Sequence, residues 1–243
     1  MTVPLAIVGG GRLGRSAGAL LRKRCPSQEF VLVASRNDEI PRARVTWITV
    51  ADRDISAAAE AVPVGGIVLH ASGALKHREA LGHRHALTGS LHPLMTFPGP
   101  EIGMPKGEIP AAVSGETELV MRAAEELGAS MGFSHFRVAE ESRALYHASA
   151  VTAGNFATAL LVHAGRMLPG VSDAEARSLL APLAIASIEN AVEHGADALT
   201  GPIARGDAET ISKHRSAIAD LPGASDMYDA MCKATREATG KVN

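Results

Sequence analysis

The feature that most constrains this 243-residue chain is a glycine-rich motif near its start, which spans residues 9–14. It follows a continuous apolar run, Leu5-Ala6-Ile7-Val8, which is typical of a strand buried on both faces, and it precedes a stretch with helical spacing. A glycine motif in this context predicts a dinucleotide-binding turn, because glycine lets the backbone approach a pyrophosphate at the start of a helix. We expect the turn to bind a cofactor through Gly9, Gly11, Arg12, Leu13 and Gly14.

Short apolar runs then alternate with helical stretches up to residue 138, a pattern that predicts a parallel sheet wrapped by helices. No strand pattern appears after residue 138, where a long helix over 140–167, a loop over 196–206 and three further helices are predicted. The fold class is therefore α/β. We predict a Rossmann-type parallel-sheet domain over residues 1–138 and an all-α domain over 139–243.

Composition narrows the classes of protein that remain. Apolar residues make up 46% of the chain and aromatic residues only 3%, which argues against all-β sandwiches and against proteins that stack single-stranded bases. A net charge of -2 argues against a globally basic nucleic-acid binder. The two cysteines, Cys25 and Cys232, form no ligand motif, and no apolar run is long enough to span a membrane. We expect a cytoplasmic protein with no nucleic-acid or membrane partner.

The end of the second predicted strand bears on the choice of cofactor. Sites for NAD usually place an acidic residue there, whereas this chain has Ala34-Ser35-Arg36. The Ser35 hydroxyl and the Arg36 guanidinium suit a 2′-phosphate, so NADP (as NADPH) is favoured and NAD stays possible. The alternative is that Arg36 is a solvated loop residue.

The ends of other strands should meet the same ligand, because open α/β sheets bind ligands at the carboxyl ends of their strands. Ser72 and Gly73 follow one such strand, and we expect them near the nicotinamide ribose. His92 ends the next strand and would face the reaction centre. The alternative for His92 is a strand-end imidazole that only bonds the backbone.

Five of the ten histidines lie between residues 70 and 92, so a metal site needs to be considered. Glu79 is the only acidic residue of this segment, no cysteine accompanies it, and the spacing of the histidines matches no known ligand pattern. We therefore expect no metal, and a metal-dependent enzyme is a third-ranked alternative.

Two segments of the helical half carry polar groups of interest. His147 and Asn155 share one helix face at positions i and i+8, where a substrate carbonyl would satisfy them; helix–helix hydrogen bonding is the alternative. The Gly- and Pro-rich segment 199–207 would position Thr200, Gly201 and Arg205, and Arg205 suits a substrate carboxylate. Asp207 is as well explained as the cap of the next helix.

Together, the motifs GGGRLG, HASGAL (70–75), GSLHPLMTF (89–97) and LTGPIARGD (199–207), with the His147–Asn155 pair, resemble the Rossmann-like oxidoreductases that carry a C-terminal DUF2520 domain. The resemblance covers nearly the whole chain. Its wider relatives are ketopantoate reductases, pyrroline-5-carboxylate reductases and 3-hydroxyacid dehydrogenases. It implies a nucleotide-binding domain followed by a helical domain that often dimerises, so a homodimer through the helical domain is expected.

One departure from the wider relatives affects the expected mechanism. Ketopantoate reductases and hydroxyacid dehydrogenases place a catalytic lysine one turn before the asparagine, but this chain has Val151 there and no lysine between Lys106 and Lys213. A histidine would then have to supply the proton, which suits its pKa near neutrality. We expect His147 to donate it, Asn155 to polarise the acceptor, and His92 to orient the substrate or share the acid role.

The sequence thus supports an NADP-dependent oxidoreductase that reduces a small carboxylate-bearing carbonyl, such as a 2-keto acid of the ketopantoate type. Two alternatives stay open. One is a reductase of a cyclic imine that resembles pyrroline carboxylate. The other is a non-catalytic NADP-binding sensor or scaffold, which the missing lysine motivates.

Overall fold

The computed structural model describes residues 2–240. Seven strands form one sheet in the order β2-β1-β3-β4-β5-β6-β7. The strands are β1 (Val3–Val8), β2 (Phe30–Val33), β3 (Ala43–Ile48), β4 (Ile67–His70), β5 (Leu87–Pro93), β6 (Ile109–Gly115) and β7 (Phe133–Arg137).

The first five strands are parallel, and their order reverses direction between β1 and β3. β2 lies on one side of β1, and all later strands lie on the other. This reversal opens a crevice at the carboxyl ends of β1 and β3, which is where open α/β sheets bind ligands. The Rossmann-type fold class is confirmed.

One feature of the sheet differs from the sequence prediction. β6 runs antiparallel to β5, with Leu91 opposite Val113, and β7 then runs parallel to β6. An all-parallel sheet was therefore wrong for this edge. The apolar run of β6 is buried, as a strand of either direction would be, so its sequence contains no signal for its direction.

Helices cover both faces of the sheet and bury two apolar clusters. The larger cluster surrounds Trp47, Leu69 and Leu91, and the smaller one surrounds Ile48 and Ile55. The helices of this part of the chain are α1 (Arg12–Arg24), α2 (Ile55–Ala61), α3 (His77–Leu81), α4 (Glu118–Ser130) and α5 (Arg143–Val151).

The chain from residue 153 to the last described residue, 240, is mainly helical, as predicted. It contains α6 (Ala157–Met167), α7 (Asp173–His194), α8 (Gly201–Arg205), α9 (Ala208–Ile218) and α10 (Ala224–Ala238). The Ser172 hydroxyl accepts from the Glu175 backbone N–H and so caps α7. The segment predicted as a loop over 196–206 instead contains α8, which begins with Gly201-Pro202 and is followed by Gly206 in the left-handed conformation as its C-terminal cap.

The predicted single helix over 140–167 is divided. A 3-10 turn (Glu140–Ser142) precedes α5, and a π-helical segment (Thr152–Phe156) lies between α5 and α6. The chain separates into two compact units, of which the first, here called the sheet unit, ends at Thr152, and the second, the helical unit, begins at Ala153. This division falls later than residue 138, and the predicted domain boundary there stays a prediction.

Candidate active site

The glycines of the first turn have different steric roles. Gly9 adopts φ +136°, and a Cβ there would lie 2.6 Å from Thr49 Oγ1; a Cβ on Gly14 would overlap the carbonyl oxygen of Gly9. These two glycines are therefore required by the packing of β1, α1 and β3. Gly11 is different, because no atom lies within 4 Å of its added Cβ. Gly11 leaves open space directly before the first N–H groups of α1, where a phosphate would bind.

A cavity of about 740 Å³ adjoins this turn. It combines the glycine turn with the ends of β2 and β3 at the reversal point of the sheet. The predicted cofactor residues Gly9, Gly11, Ser35 and Arg36 line it together. Its wall is otherwise mainly small and apolar, formed by Val8, Gly10, Val33, Ala34, Ile40, Thr49, Val50, Ala51, Ala57, Ala58, Ala61 and Pro63, with Asp38, Glu39 and Asp54 as acidic members.

Arg36 lies at the polar end of this cavity. Its side chain is 85% exposed, and its guanidinium lies 3.1 Å from the Asp54 carboxylate. Asp38 accepts from the Ser35 backbone N–H at 2.9 Å, and the Ser35 hydroxyl accepts from Asn37 N–H at 3.2 Å, so the turn after β2 is closed by its own side chains. Asp54, which follows β3 in the chain, was not predicted as a site residue, because only the fold brings it close to Arg36.

The other predicted cofactor residues do not line this cavity. Arg12 is exposed at the first position of α1, and Leu13 is half-buried against the larger core cluster. Ser72 is buried, and its hydroxyl donates to Asp52 at 2.7 Å and accepts from Ala74 and Leu75 N–H. Any contribution of the Ser72 side chain to binding would therefore be through the shape of the loop.

Gly73, His92 and His147 come together near the carboxyl ends of β4 and β5. A Cβ on Gly73 would lie 2.5 Å from His147 Nδ1 and 3.0 Å from His92 Nε2. The two imidazoles meet edge to face, with ring centroids 6.0 Å apart. Only glycine at position 73 allows both rings to approach the loop this closely. All three residues were predicted from the sequence as site residues: Gly73 for the cofactor, and His92 and His147 for catalysis.

Tyr146 belongs to the same cluster and was not predicted. Its hydroxyl lies 2.5 Å from His92 Nδ1. Burial, the neighbouring His147 ring and the Arg143 guanidinium together lower the pKa of His92 to about 4, although Asp52 acts in the opposite direction. Burial raises the pKa of Tyr146 to about 12, against the opposing effect of Arg143. Both groups of this pair are therefore neutral at pH 7.

Arg143 anchors this cluster to the sheet. Although it is an arginine, it is fully buried. Its guanidinium donates to the Leu75 carbonyl at 2.7 Å, to the Ser72 carbonyl, and to the hydroxyls of Ser90 and Ser114 at 2.6 and 3.1 Å. It thus joins the start of α5 to the loop that contains Gly73 and to strands β5 and β6. An arginine in a predicted helix normally faces solvent, so this role could not be predicted from residue type or helical spacing.

Glu140 extends the network on the other side of Ser114. Its carboxylate accepts from the Ser114 hydroxyl at 2.8 Å and from the His77 backbone N–H at 3.0 Å. Burial alone would raise the pKa of Glu140, but hydrogen bonds from His77 and Ser114 outweigh it and lower the pKa to about 2. The Glu140 carboxylate therefore compensates the buried charge of the Arg143 guanidinium through the Ser114 hydroxyl, which bonds both groups.

The predicted substrate residues lie in the helical unit. Thr200, Gly201 and Arg205 line one cavity of about 440 Å³, together with residues of the 3-10 turn Gly195–Ala198 and the end of α10. Asp207 caps α9 by accepting from Thr210 N–H at 3.0 Å, in agreement with the alternative offered for it.

Asn155 lies on the exposed surface of the π-helical segment. Asn155 and His147 share one face at positions i and i+8 only in an uninterrupted α-helix. The π-helical segment interrupts that spacing. Their joint role stays a prediction.

Among residues 2–240, no group of three or more His, Cys, Asp or Glu side chains is arranged to hold a metal ion. In that same part of the chain, no helix has the length and apolar character needed to cross a membrane.

A sheet whose strand order reverses at a glycine turn, with a cavity at the reversal, defines a protein of the Rossmann-like class. Several solved structures share this fold over almost the full length of the chain. A Bacteroides fragilis protein, provisionally assigned as an NADP oxidoreductase, has a TM-score of 0.78 and 19% identity, covering 97% of this chain and 98% of its own. A Thermotoga maritima protein has a TM-score of 0.73 and 24% identity, with coverage of 97% and 98%.

A third similar structure is a reductive aminase from Aspergillus terreus in complex with NADPH and ethyl-5-oxohexanoate. Its TM-score is 0.67 and its identity 18%, with coverage of 100% of this chain and 97% of its own. A search of curated protein sequences finds no match. Residues 109–235 match the family described as "Domain of unknown function (DUF2520)", which is just over half of the chain. The chain belongs to the DUF2520 family, as its motifs indicated.

Proposed function

We propose that this protein is an NADP-dependent oxidoreductase that reduces a small carbonyl compound bearing a carboxylate, such as a 2-keto acid of the ketopantoate type. One observation carries the proposal. The glycine turn and the end of β2 line a single cavity, and the imidazoles of His92 and His147 lie near the carboxyl ends of β4 and β5, at the same edge of the same sheet. A nucleotide-sized cavity and titratable side chains at one sheet edge are what a reductase needs.

The residues at the cavity fit a phosphorylated dinucleotide. Gly11 leaves open space before the N-terminus of α1, where a pyrophosphate would accept from backbone N–H groups. Ser35 and Arg36 would hold the 2′-phosphate, because a hydroxyl and a guanidinium both donate to it. Asp38 and Asp54 are already engaged by Ser35 and Arg36. NAD is the alternative cofactor, and weaker binding of NADPH than of NADH would favour it.

The proposed roles of the side chains follow from their chemical groups. When bound, NADPH would supply the hydride. His147 would donate the proton to the acceptor atom, since Val151 stands where the wider relatives have a lysine. His92, with its lowered pKa, is neutral at pH 7 and suits an orienting role better than an acid role. Within the helical unit, Arg205 would bind a carboxylate beside Thr200 and Gly201, and Asn155 is the side chain proposed to polarise an acceptor.

Two alternatives share this site. A cyclic imine with a carboxylate could replace the keto acid, and the likeness to a reductive aminase that binds NADPH supports including imines among the test substrates. A non-catalytic sensor or scaffold would use the nucleotide cavity alone. It predicts stabilisation by NADPH of about 2.7 kcal/mol at 100-fold excess over the dissociation constant, with no turnover.

We also propose that a second copy of this chain covers the helical unit. α7 exposes several large apolar side chains, among them Leu179, Leu183 and Val192, which are 60%, 67% and 85% exposed. Apolar surface of this kind on a helix is typical of an interface. Sedimentation velocity should show a dimer for the wild type and a monomer for a Leu183→Glu, Val192→Glu double variant; a monomeric wild type would contradict the proposal.

The reductase proposal is tested by NADPH and NADH oxidation against a panel of 2-keto acids and carboxylate-bearing cyclic imines. We expect turnover with at least one substrate and a preference for NADPH. His147→Gln should lower the rate by about 10² to 10⁴, as loss of a general acid does. His135→Gln, at a half-exposed site on β7, is the matched control and should leave the rate unchanged. Tight NADPH binding without turnover across the whole panel would instead support the sensor.

A further inference from the structure

The contact between Tyr146 and His92 has a chemical consequence for the proposed active site. A neutral imidazole has one N–H, and its position is set by what the other nitrogen bonds. The phenol O–H needs an acceptor, and His92 Nδ1 lies 2.5 Å from it. If Tyr146 donates to Nδ1, the hydrogen of His92 must be on Nε2.

The two ring nitrogens that remain both lie close to the backbone of Gly73. His92 Nε2 lies 3.0 Å, and His147 Nδ1 2.5 Å, from the position that a Gly73 Cβ would occupy. His147 Nδ1 is buried without a hydrogen-bond partner among the described residues. A buried, unpartnered ring nitrogen beside a second imidazole is the arrangement expected where a polar group of a ligand completes the bonding.

The backbone of α5 makes this arrangement rigid. Arg143, Tyr146 and His147 lie at positions i, i+3 and i+4, so they share one face of the helix. Arg143 fixes that face to the loop of Gly73 through the Ser72 and Leu75 carbonyls. The Phe136 ring packs edge to face on Tyr146, with ring centroids 5.9 Å apart. The Tyr146 hydroxyl is therefore held at one place relative to β5.

We propose that Tyr146 is a positioning residue: its hydroxyl donates to His92 Nδ1, fixes the Nε2–H tautomer and directs that N–H towards the Gly73 loop, beside the unpartnered Nδ1 of His147. There it would donate a hydrogen bond to the carbonyl oxygen or imine nitrogen of the substrate, while His147 supplies the proton. This catalytic meaning rests on the proposed reductase function. The tautomer itself does not, because it belongs to the free protein.

The chain contains its own control for this proposal. In the helical unit, His214 Nδ1 lies 2.7 Å from the Tyr228 hydroxyl, with the rings also edge to face. His214 is exposed and lies outside the proposed site. A Tyr→Phe change removes the same hydroxyl from either pair.

The test is nitrogen-15 NMR of the imidazole rings in the full-length protein without cofactor, with His92 assigned from a His92→Gln variant. We expect His92 to be the Nε2–H tautomer in the wild type and a mixture of tautomers in Tyr146→Phe. Tyr228→Phe should change the signals of His214 alone. A wild-type His92 that is already mixed, or that carries its hydrogen on Nδ1, would overturn the proposal even if Tyr146→Phe did not fold.

Activity separates this inference from the proposed function. With any substrate that the panel identifies, Tyr146→Phe should lower kcat/KM about tenfold, equivalent to about 1.4 kcal/mol, while Tyr228→Phe changes it less than about twofold. Turnover with an unchanged Tyr146→Phe would remove the positioning role and leave the reductase. The Nε2–H tautomer without any turnover would contradict the reductase and leave the His92–Tyr146 geometry.

Discussion

Two histidine–tyrosine pairs, one in each unit, have almost the same local geometry. In the sheet unit the rings of His92 and Tyr146 are 5.5 Å apart at 83°, and in the helical unit those of His214 and Tyr228 are 5.8 Å apart at 87°. Each pair also has an arginine close in sequence. Arg143 is fully buried, whereas the side chain of Arg215 is 49% exposed and pairs with Asp229 at 2.8 Å.

The difference between the pairs is therefore one of surroundings and not of contact geometry. Around Arg143, hydroxyl and carbonyl groups that have lost water must find partners in the protein, and a ring nitrogen of His147 is left without one. Around Arg215, water competes for every bond. The same residue types thus stabilise a surface in one unit and build a polar site in the other.

The largest expected effect compares the two arginines. Arg143→Ala should lower the free energy of unfolding by about 3 to 5 kcal/mol, because it leaves buried acceptors and the Glu140 charge uncompensated. Arg215→Ala should cost at most about 1 kcal/mol, as exposed ion pairs do. Urea denaturation measures both. Equal losses would show that burial does not distinguish the two sites.

A second prediction tests the crowding at Gly73. Gly73→Ala should displace both imidazoles and lower kcat/KM by about 10², the effect of misplacing catalytic groups by roughly 1 Å. Gly128→Ala in α4 is the matched control, since its Cβ would lie at an ordinary 3.4 Å from Leu91 Cδ1. Imidazole NMR signals of His92 and His147 should move in the first variant only. Unmoved signals in Gly73→Ala would contradict the arrangement.

A third prediction concerns acid. Burial, followed by the Arg143 charge, lowers the pKa of His70 from 6.5 to about 3, and the pKa of His92 is lowered to about 4. As the pH falls below 6.5, the two histidines take up protons in the unfolded state before they do so in the folded state. Their contribution to the free energy of unfolding is therefore fully present above pH 6.5 and is lost as the pH drops towards 4 and then 3.

Urea denaturation at pH 7 and pH 5 measures this loss. His70→Asn, which keeps an acceptor for the Ser72 N–H, should reduce the difference between the two pH values. A wild-type stability that is equal at both pH values would contradict the predicted direction.

The smallest expected effect is at the exposed pair. Tyr228→Phe should change the free energy of unfolding by less than about 1 kcal/mol, since a hydrogen bond near water has a small net value. It should also leave NADPH binding unchanged. A larger loss would mean that the helical unit relies on this pair as the sheet unit relies on Arg143.

The sequence predicted those features whose signal is local. The run Leu5–Val8 and the glycines that follow it specify a strand, a turn and a helix within a few residues, and that turn lines the cavity. Gly73, His92 and His147 were found because each ends a strand or lies on a helix in a polar segment. Their approach to one reaction centre was expected, but the direct contacts among them were not predictable, because these depend on three separate elements.

The missed residues share a different property. Asp54, Arg143 and Tyr146 acquire their roles from partners far along the chain, and as residue types they are ordinary on exposed surfaces. The antiparallel direction of β6 was missed for the same reason, since a buried apolar strand reads alike in both directions. Contacts between distant segments, and not local pattern, decide these features.

The central claim is that the cavity beside Gly11 binds NADPH, and a calorimetric titration tests it most directly. We expect the wild type to bind NADPH at least about tenfold more tightly than NADH, a difference of about 1.4 kcal/mol. Gly11→Ala should lose this binding while keeping its unfolding midpoint, because its added Cβ meets no protein atom within 4 Å. No binding of NADPH by the wild type, or equal binding by Gly11→Ala, would contradict the account.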